Sequence, residues 1–234
     1  MMNDAVPLVL LPGLMCDGRI FEALLEAFPT AIAIPGYGLD DNFDAMTARV
    51  LAQAPEKFAL LGHSMGARIA LEVMRAAPSR VQRLALVSTG THGVRPGEAD
   101  KRYALRELGR AHGIEALVDA WLPPMIAPAN LLNAPLVAAL RQMCVDAGLA
   151  TFEAQIAALL ARPEVESMLP NIAVPTLVAV GSEDIWSPPQ QHRELARAIP
   201  NAVLRVCSGA GHMLPAEDPC ALNEAVAQWL LTPG

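Results

Sequence analysis

Residues 62–66 read Gly-His-Ser-Met-Gly and contain the residue type and spacing that a nucleophilic hydrolase needs. They match the pattern G-x-S-x-G, which places a serine on a sharp turn between a strand and a helix. An apolar run, residues 58–61, precedes the pattern, and an amphipathic stretch, residues 65–77, follows it. The pattern therefore predicts Ser64 as a nucleophile at a helix N-terminus; the alternative is a tight turn with a capping serine.

A serine hydroxyl needs a neighbouring base, and the chain has five histidines. His212 is the predicted base: it lies in a glycine-containing loop between the last predicted strand and the final helix, and this loop resembles the base loop of the α/β-hydrolase superfamily. The side chain of His63, next to the nucleophile, is expected to point away from the serine oxygen. The remaining three are assigned no role: His92 follows an earlier strand, and His112 and His192 lie in helical stretches expected at the surface.

Asp184 is the predicted acid, since it directly follows the apolar strand at residues 176–181. Such an acid holds the imidazole in one tautomer and stabilises the imidazolium. Glu183 is the near competitor, although a slip of one residue would turn its carboxylate elsewhere. The earlier strand offers no substitute, because residues 88–90 read Ser-Thr-Gly.

These residues together resemble the α/β-hydrolase superfamily, in which nucleophile, acid and base follow one another in the order Ser64, Asp184, His212. Residues 181–188 are similar to the family's G-x-x-D-x-x-x-P stretch. The resemblance implies an oxyanion hole formed by the backbone N–H groups of Met65 and Leu14. One departure is residues 12–13, Pro-Gly where the family often has His-Gly, which removes a side-chain hydrogen bond that would brace the loop. The fixed φ of proline is a candidate replacement.

Apolar runs alternate with helical patterns along most of the chain, which is typical of a parallel sheet covered by helices on both faces. The resemblance implies about six core strands, since the first strand pair of the fold has no counterpart. Strands are predicted at residues 6–11, 31–34, 58–62, 84–88, 176–181 and 203–207, and helices at 20–28, 43–54, 65–77, 190–199 and 219–231.

The alternation stops between residues 91 and 170, where the patterns are helical. A chain of 234 residues suits one domain, because single cores grow to about 250 residues. We therefore expect an α/β-hydrolase core at residues 1–92 and 171–234 and a helical cap inserted at residues 93–170. Helices in that insertion are predicted near residues 100–112, 114–121, 136–147 and 151–161.

Composition excludes several classes of function. The net charge of −7 argues against nucleic acid and against anionic membrane surfaces, which attract basic proteins. Four scattered cysteines, without a C-x-x-C pair or a histidine cluster, predict reduced thiols in the cytoplasm and no metal site. The apolar N-terminal stretch lacks the basic region of a signal peptide, and no unbroken apolar run reaches the about 18 residues of a membrane span.

The substrate is expected to be small and largely apolar, because the residues beside the predicted catalytic positions are apolar. No arginine is clearly placed to hold a carboxylate or phosphate, although Arg68 and Arg95 remain candidates. The predicted pocket residues are Leu14, Met65, Trp186 and Met213 beside the catalytic positions, and Trp121, Met125 and Phe152 from the cap.

The sequence thus predicts a serine hydrolase of the carboxylesterase type, which cleaves an ester or thioester through an acyl-enzyme on Ser64 without a cofactor. Carbon–carbon bond hydrolysis, lyase chemistry and acyl transfer on the same three residues remain open, because one fold supports many reactions. A non-catalytic protein that retains the pocket as a receptor is a third possibility. Monomer and homodimer are both compatible with the sequence.

Overall fold

The computed structural model describes residues 6–232 and contains one six-stranded sheet in which every pair of neighbouring strands is parallel. The strand order is β2-β1-β3-β4-β5-β6, which confirms the predicted sheet. The strands are β1 (Leu8–Leu11), β2 (Ile32–Ala33), β3 (Phe58–His63), β4 (Val81–Val87), β5 (Thr176–Gly181) and β6 (Ala202–Cys207).

The central strands are continuous apolar runs because both faces of the sheet are covered. Every residue of β1, β3 and β5 is buried. The helices are α1 (Glu22–Ala27), α2 (Phe43–Gln53), α3 (Met65–Ala76), α4 (Glu98–His112), α5 (Ile114–Trp121), α6 (Ala134–Leu160), α7 (Pro189–Ala198), α8 (Leu214–Glu217) and α9 (Pro219–Leu231).

The strand order determines which helices share a face of the sheet. Connections between parallel strands are right-handed, and only the β1-to-β2 connection runs toward the β2 edge. Helix α1 therefore lies on one face, whereas α2, α3 and α7 lie on the other. Helix α9 packs against α1 and so covers the first face. The prediction of helices on both faces is confirmed.

The chain leaves β1 toward one edge of the sheet and leaves β3 toward the other, so the loops after these two strands separate. Such a switch point opens a crevice at the carboxyl ends of the strands, where open α/β sheets bind ligands. Ser64 directly follows β3, and Asp184 and His212 follow β5 and β6. All three residues therefore reach the same end of the sheet.

Helices α4, α5 and α6 fill the chain between β4 and β5, and they pack against one another. The sequence predicted two separate helices, at residues 136–147 and 151–161, whereas in the structure both stretches belong to the one helix α6. Gly148 within it has φ 79° and ψ 161°, values that are not helical, so α6 consists of two arms. Glycine alone adopts such a conformation without strain, which is why the break lies there.

Helix α6 is also long and apolar enough, by length and composition alone, to cross a membrane. Its most apolar stretch contains few charged residues, although the sequence has no unbroken apolar run long enough to span a membrane. Cys144 in the first arm and Phe152 in the second are buried in the hydrophobic core. A core helix passes the same test, so α6 is weak evidence for a membrane span.

Candidate active site

Three side chains that are far apart in sequence form a hydrogen-bonded chain at the carboxyl end of the sheet. His212 Nε2 lies 2.8 Å from Ser64 Oγ, and His212 Nδ1 lies 2.9 Å from Asp184 Oδ2. The other oxygen of Asp184 accepts the backbone N–H groups of Trp186 and Ser187, at 2.9 Å and 2.8 Å. The structure thus brings together the three residues that the sequence singled out.

The turn that carries Ser64 has the strain of a nucleophile elbow. Ser64 has φ 54° and ψ −115°, a combination that non-glycine residues rarely adopt. Its backbone is held by two hydrogen bonds, from Ser64 N–H to Val87 O at 2.8 Å and from Thr89 Oγ1 to Ser64 O at 3.0 Å. A Cβ on Gly66 would collide with the backbone carbonyl of Leu11, so only glycine lets helix α3 approach β1 this closely.

Asp184 is the anionic end of this chain of hydrogen bonds. Burial acts to raise the pKa of Asp184, but the His212 imidazole and the N–H of Ser187 stabilise the carboxylate and hold its pKa below the ordinary value. At neutral pH the carboxylate therefore accepts the Nδ1 proton of His212. This assignment leaves Nε2 as an acceptor for the hydroxyl proton of Ser64.

His63 does not face Ser64 Oγ; it supports the backbone of the base. His63 Nε2 donates to His212 O at 2.8 Å, and the two rings lie 5.5 Å apart. Burial, and next the neighbouring His212, lower the pKa of His63 to about 3, so the ring is neutral at pH 7. A neutral donor can fix the loop that carries His212 without adding a positive charge next to the base.

Glu217 is a second support that sequence reasoning missed. Its carboxylate accepts the backbone N–H groups of Gly211, Met213 and Ala127, at 3.0, 3.0 and 2.8 Å. The base loop is thereby tied to the segment after α5, to which His212 N–H also donates, at Met125 O. The only sequence signal was a glutamate five residues after the predicted base, which is too common to carry an inference.

The expectation that His192 lies at the surface was wrong. The residue is fully buried, and its Nε2 accepts the N–H of Thr89 at 2.9 Å while Nδ1 donates to Pro188 O at 3.2 Å. Burial lowers the pKa of His192 to about 4, so it stays neutral. His192 and Leu195 are both buried, three residues apart on one face of α7, a periodicity that could have revealed the histidine as a core residue.

The loop after β1 is braced by side chains that the sequence did not suggest. Tyr37 Oη donates to Pro12 O at 3.1 Å, and Met15 N–H donates to Gln155 Oε1 at 2.8 Å. Met15 has φ 61°, so the loop is held in a strained conformation. A Cβ on Gly13 would lie 3.1 Å from Ser64 Cβ, which shows how closely this loop approaches the elbow. The hydrogen bond donated by Tyr37 and the one accepted by Gln155 restrain the loop.

A cavity of about 350 Å³ opens beside Ser64 and His212. One part of its lining is apolar and contains every predicted pocket residue: Leu14, Met65, Trp121, Met125, Phe152, Trp186 and Met213. Two of these, Leu14 and Met65, are also the residues whose backbone N–H groups were predicted to form the oxyanion hole. Another part is charged, which the sequence patterns did not indicate beyond the candidates Arg68 and Arg95. Its charged residues are Arg68, Arg95, Glu98, Lys101, Arg102 and Arg162.

Within residues 6–232, no group of three or more His, Cys, Asp or Glu side chains is arranged to hold a metal ion. Ser64 and His212 line the cavity and supply a hydroxyl and an imidazole within hydrogen-bond distance of each other, and the carboxylate of Asp184 is buried behind the imidazole. This arrangement can activate the hydroxyl for attack on an electrophilic carbon.

Residues 8–225 match the family model described as the alpha/beta hydrolase family. The chain belongs to the alpha/beta hydrolase family. This result agrees with the six-stranded parallel sheet and with the strand–turn–helix geometry around Ser64.

Relatives of this alpha/beta hydrolase include esterases. A pimeloyl-[acyl-carrier protein] methyl ester esterase of Aliivibrio salmonicida is 37% identical over 97 residues, a stretch that spans only 37% of this chain and 37% of that esterase. A thermophilic esterase from Thermogutta terrifontis has a similar structure, with a TM-score of 0.86, 26% identity, and coverage of 96% of this chain and 89% of that one.

An enol-lactonase from Burkholderia xenovorans LB400 superposes with a TM-score of 0.85 at 23% identity, covering 98% of this chain and 93% of that one. At this identity the similarity shows the shared fold alone. The family match and the esterases among the relatives support hydrolase activity for this alpha/beta hydrolase.

Proposed function

We propose that this alpha/beta hydrolase is a serine hydrolase that cleaves a carboxylic ester or thioester of a small substrate through an acyl-enzyme on Ser64. The observation that carries the proposal is the continuous hydrogen bonding from Ser64 Oγ through His212 to the buried carboxylate of Asp184. The esterases among its relatives support the same reaction class.

In the proposed reaction, Ser64 Oγ attacks the substrate carbonyl while its proton passes to His212 Nε2. The tetrahedral intermediate carries a negative oxygen, which accepts the N–H groups of Met65 and Leu14. His212 then gives the proton to the departing alcohol or thiol, which leaves an acyl group on Ser64. Water, deprotonated by His212, attacks the acyl carbonyl, and the acid product departs as Ser64 recovers its proton.

The walls of the cavity set the size of the substrate. A volume of about 350 Å³ lies at the small end of the range for ligand pockets, about 300–1,000 Å³. Trp121, Met125 and Phe152 come from the segment between β4 and β5 and lie across the cavity from the strands. We assign this helical segment, residues 93–170, the role of a cap that excludes water and contacts the apolar part of the substrate.

All four cysteines are free thiols, with Cys16, Cys144 and Cys207 buried and Cys220 exposed. Unpaired thiols are usual in reducing compartments, which supports the proposal that the enzyme acts in the cytoplasm. The proposed reaction needs no cofactor, because the attacking oxygen, the base and the oxyanion donors all come from the chain.

The test is hydrolysis of p-nitrophenyl esters of graded acyl length by the wild type, Ser64→Ala and the control Ser79→Ala, which changes an exposed serine outside the cavity. We expect turnover that peaks at one chain length, persists in Ser79→Ala and falls by at least about 10⁴-fold in Ser64→Ala. A fluorophosphonate probe should label the wild type and not Ser64→Ala.

Turnover that survives in Ser64→Ala would overturn the proposed nucleophile. Labelling of Ser64 without hydrolysis of any ester would instead favour carbon–carbon bond cleavage or acyl transfer on the same residues. Absence of both labelling and turnover in a folded protein would favour a receptor that retains the pocket without the reaction.

A further inference from the structure

One wall of the cavity carries an excess of positive charge. Five cationic side chains and one carboxylate line it, an excess of four positive charges in a chain whose net charge is −7. These residues are referred to below as the cationic wall: Arg68 on α3, Arg95 before α4, Glu98, Lys101 and Arg102 on α4, and Arg162 just after α6.

Arg68 is the most deeply buried member of the cationic wall whose charge lacks a carboxylate partner. Only 3% of the residue is exposed, and its guanidinium donates to three backbone carbonyls: Gly90 O at 3.1 Å, His92 O at 3.3 Å and Pro163 O at 2.8 Å. Its Nε is buried without a hydrogen-bond partner among residues 6–232. Burial, and next the charge of Arg162, lower the pKa of Arg68 to about 10, which still leaves it cationic at neutral pH.

Glu98 is shared between two arginines. Its oxygens lie 2.6 Å and 2.7 Å from Nη1 and Nη2 of Arg162, and Arg102 Nη2 lies 2.8 Å from Oε1. The side chain of Arg162 is 4% exposed, so this bidentate pair is shielded from water. One carboxylate thus balances one of two guanidinium charges. Among residues 6–232 no carboxylate forms an ion pair with Arg68, which donates only to backbone carbonyls. The charge of Arg68 is offset only at longer range, by Glu72, Glu166 and Glu98.

Arg95 and Lys101 extend the positive charge toward the mouth of the cavity. Both residues are exposed, and within residues 6–232 neither side chain forms an ion pair. Long cationic side chains at a rim are free to close on an anion that enters. A buried positive charge without a counter-ion is unfavourable, and an anionic ligand in the cavity would relieve it.

We infer that the cationic wall selects a substrate that bears a carboxylate on a part of the molecule that is not cleaved. The inference rests on the proposed ester hydrolysis and specifies its substrate class as half-esters of short dicarboxylic acids or esters of short hydroxy acids. Ser64 and Arg68 line the same cavity, whose volume of about 350 Å³ leaves room for only a short carbon chain between the scissile carbonyl and the carboxylate.

This substrate class differs from the largely apolar substrate expected from the sequence. The apolar residues on the other wall contact the carbon chain, and the guanidinium groups bind the carboxylate, whose geometry they match. The two walls together would accept a molecule with an apolar middle and one charged end, and would leave a purely apolar ester with nothing to pair with the arginines.

Two matched pairs of esters test the inference, with acid release followed at constant pH. Monomethyl adipate and methyl hexanoate differ by a carboxylate on the acyl side. The second pair, 4-butyryloxybutanoate and butyl butyrate, differs by a carboxylate on the alcohol side. We expect one anionic ester to exceed its neutral partner in kcat/KM by about tenfold or more, because its carboxylate accepts charge-assisted hydrogen bonds that the neutral ester cannot form.

Two sets of variants identify the source of the preference. The double variant Arg95→Gln/Lys101→Gln changes exposed side chains and should lower the anionic-to-neutral ratio, mainly through KM, while Arg68→Met should lower it further if the protein folds. Arg141→Gln removes one positive charge outside the cavity, where Arg141 pairs with Asp119, and should leave the ratio unchanged. Added salt should lower the ratio of the wild type, because the rim cations are exposed.

Equal or faster turnover of both neutral esters, with Ser64→Ala inactive, would overturn the inference and leave the proposed hydrolysis intact. Failure to cleave any ester would overturn the proposed function. In that case calorimetric titration of folded Ser64→Ala with monomethyl adipate and methyl hexanoate still decides the anion site: selective binding of the half-ester supports it, and equal or absent binding overturns it.

Discussion

The two walls of the cavity are built in different ways. Ser64, Asp184 and His212 follow three strands of one sheet, and short hydrogen bonds hold each of them: Ser64 N–H donates to Val87 O, Ser187 N–H donates to Asp184, and the His63 side chain donates to His212 O. The cationic wall comes instead from α3, from α4 and the loop before it, and from the end of α6, elements that meet only when the segment between β4 and β5 packs on the sheet. Ser64, Asp184 and His212 are therefore positioned mainly by the sheet, with one further hydrogen bond from His212 N–H to Met125 O, and the proposed selection of substrate depends on the helices between β4 and β5.

The walls also differ in how their charges are balanced. Asp184 has His212 beside it and two backbone N–H donors, so its charge is stabilised within the protein. Arg68 has backbone carbonyls but no carboxylate among its hydrogen-bond partners. The charge of Asp184 is paired within the protein, which suits chemistry that is the same for every substrate. The positive charge of the cationic wall is not fully paired, which suits recognition of an anionic substrate.

The largest effect should come from removing the charge behind the base. Asp184→Asn is expected to lower kcat for a p-nitrophenyl ester by about 10⁴-fold, because an amide no longer holds the Nδ1–H tautomer of His212. Glu183→Gln is the matched control, since this neighbouring carboxylate is exposed. Near-normal activity of Asp184→Asn together with inactive Glu183→Gln would show that the acid is the adjacent residue.

A smaller effect, on stability rather than on rate, is expected at the cationic wall. Burial works against the charge of Glu98, but hydrogen bonds from Arg162 and Arg102 hold its pKa at about 2. Glu98→Gln leaves both guanidinium groups without a carboxylate and should lower the free energy of unfolding by about 3 kcal/mol in urea titrations.

Glu153→Gln breaks the exposed pair with Arg110 and should leave the free energy of unfolding almost unchanged, because solvent screens exposed charges. An equally small change in Glu98→Gln would show that the cationic wall holds its shape without its carboxylate, and would remove the contrast between a buried and an exposed pair.

The smallest expected effect for a single pH unit is a change in the free energy of unfolding that comes from two buried histidines, His63 and His192. The pKa values of His63 and His192 are about 3 and about 4, against about 6.5 in an unfolded chain. Below pH 6.5 the unfolded state binds protons that the folded state does not, so stability falls as the pH is lowered. Each histidine contributes a slope approaching about 1.4 kcal/mol per pH unit between about pH 6 and its folded pKa.

Urea titrations between pH 6.5 and 4.5 check this slope, before the loss of the Glu98 charge adds to it at lower pH. His192→Gln should flatten the dependence, and His112→Gln, at an exposed position, should leave it as it is. A slope that is the same in His192→Gln and in the wild type would mean that the buried ring does not resist protonation.

The sequence predicted the residues at the carboxyl end of the sheet better than it predicted the cationic wall. The sheet and the residues at its carboxyl end are encoded in contiguous stretches, since apolar runs specify strands and Ser64 lies inside a recognisable turn. His192 and Glu217 escaped because each is a single polar residue whose partners are backbone groups elsewhere. Of the cationic wall, the sequence left only Arg68 and Arg95 as candidates, because Arg68 and Arg162 approach each other through the packing of the helices, which no local pattern describes.

The two edges of the sheet differ in what opposes self-association. Strand β2, at one edge, pairs through only two residues, so it offers a second chain few backbone groups to bind. Strand β6, at the other edge, runs for six residues and exposes Val203 and Val206 by 45% and 43%. Arg205, between these valines, places a charge on that edge, and charged side chains on edge strands oppose strand-to-strand aggregation. Association through the sheet edges is therefore opposed in two ways: by the short length of β2 at one edge, and by the charge of Arg205 at the other.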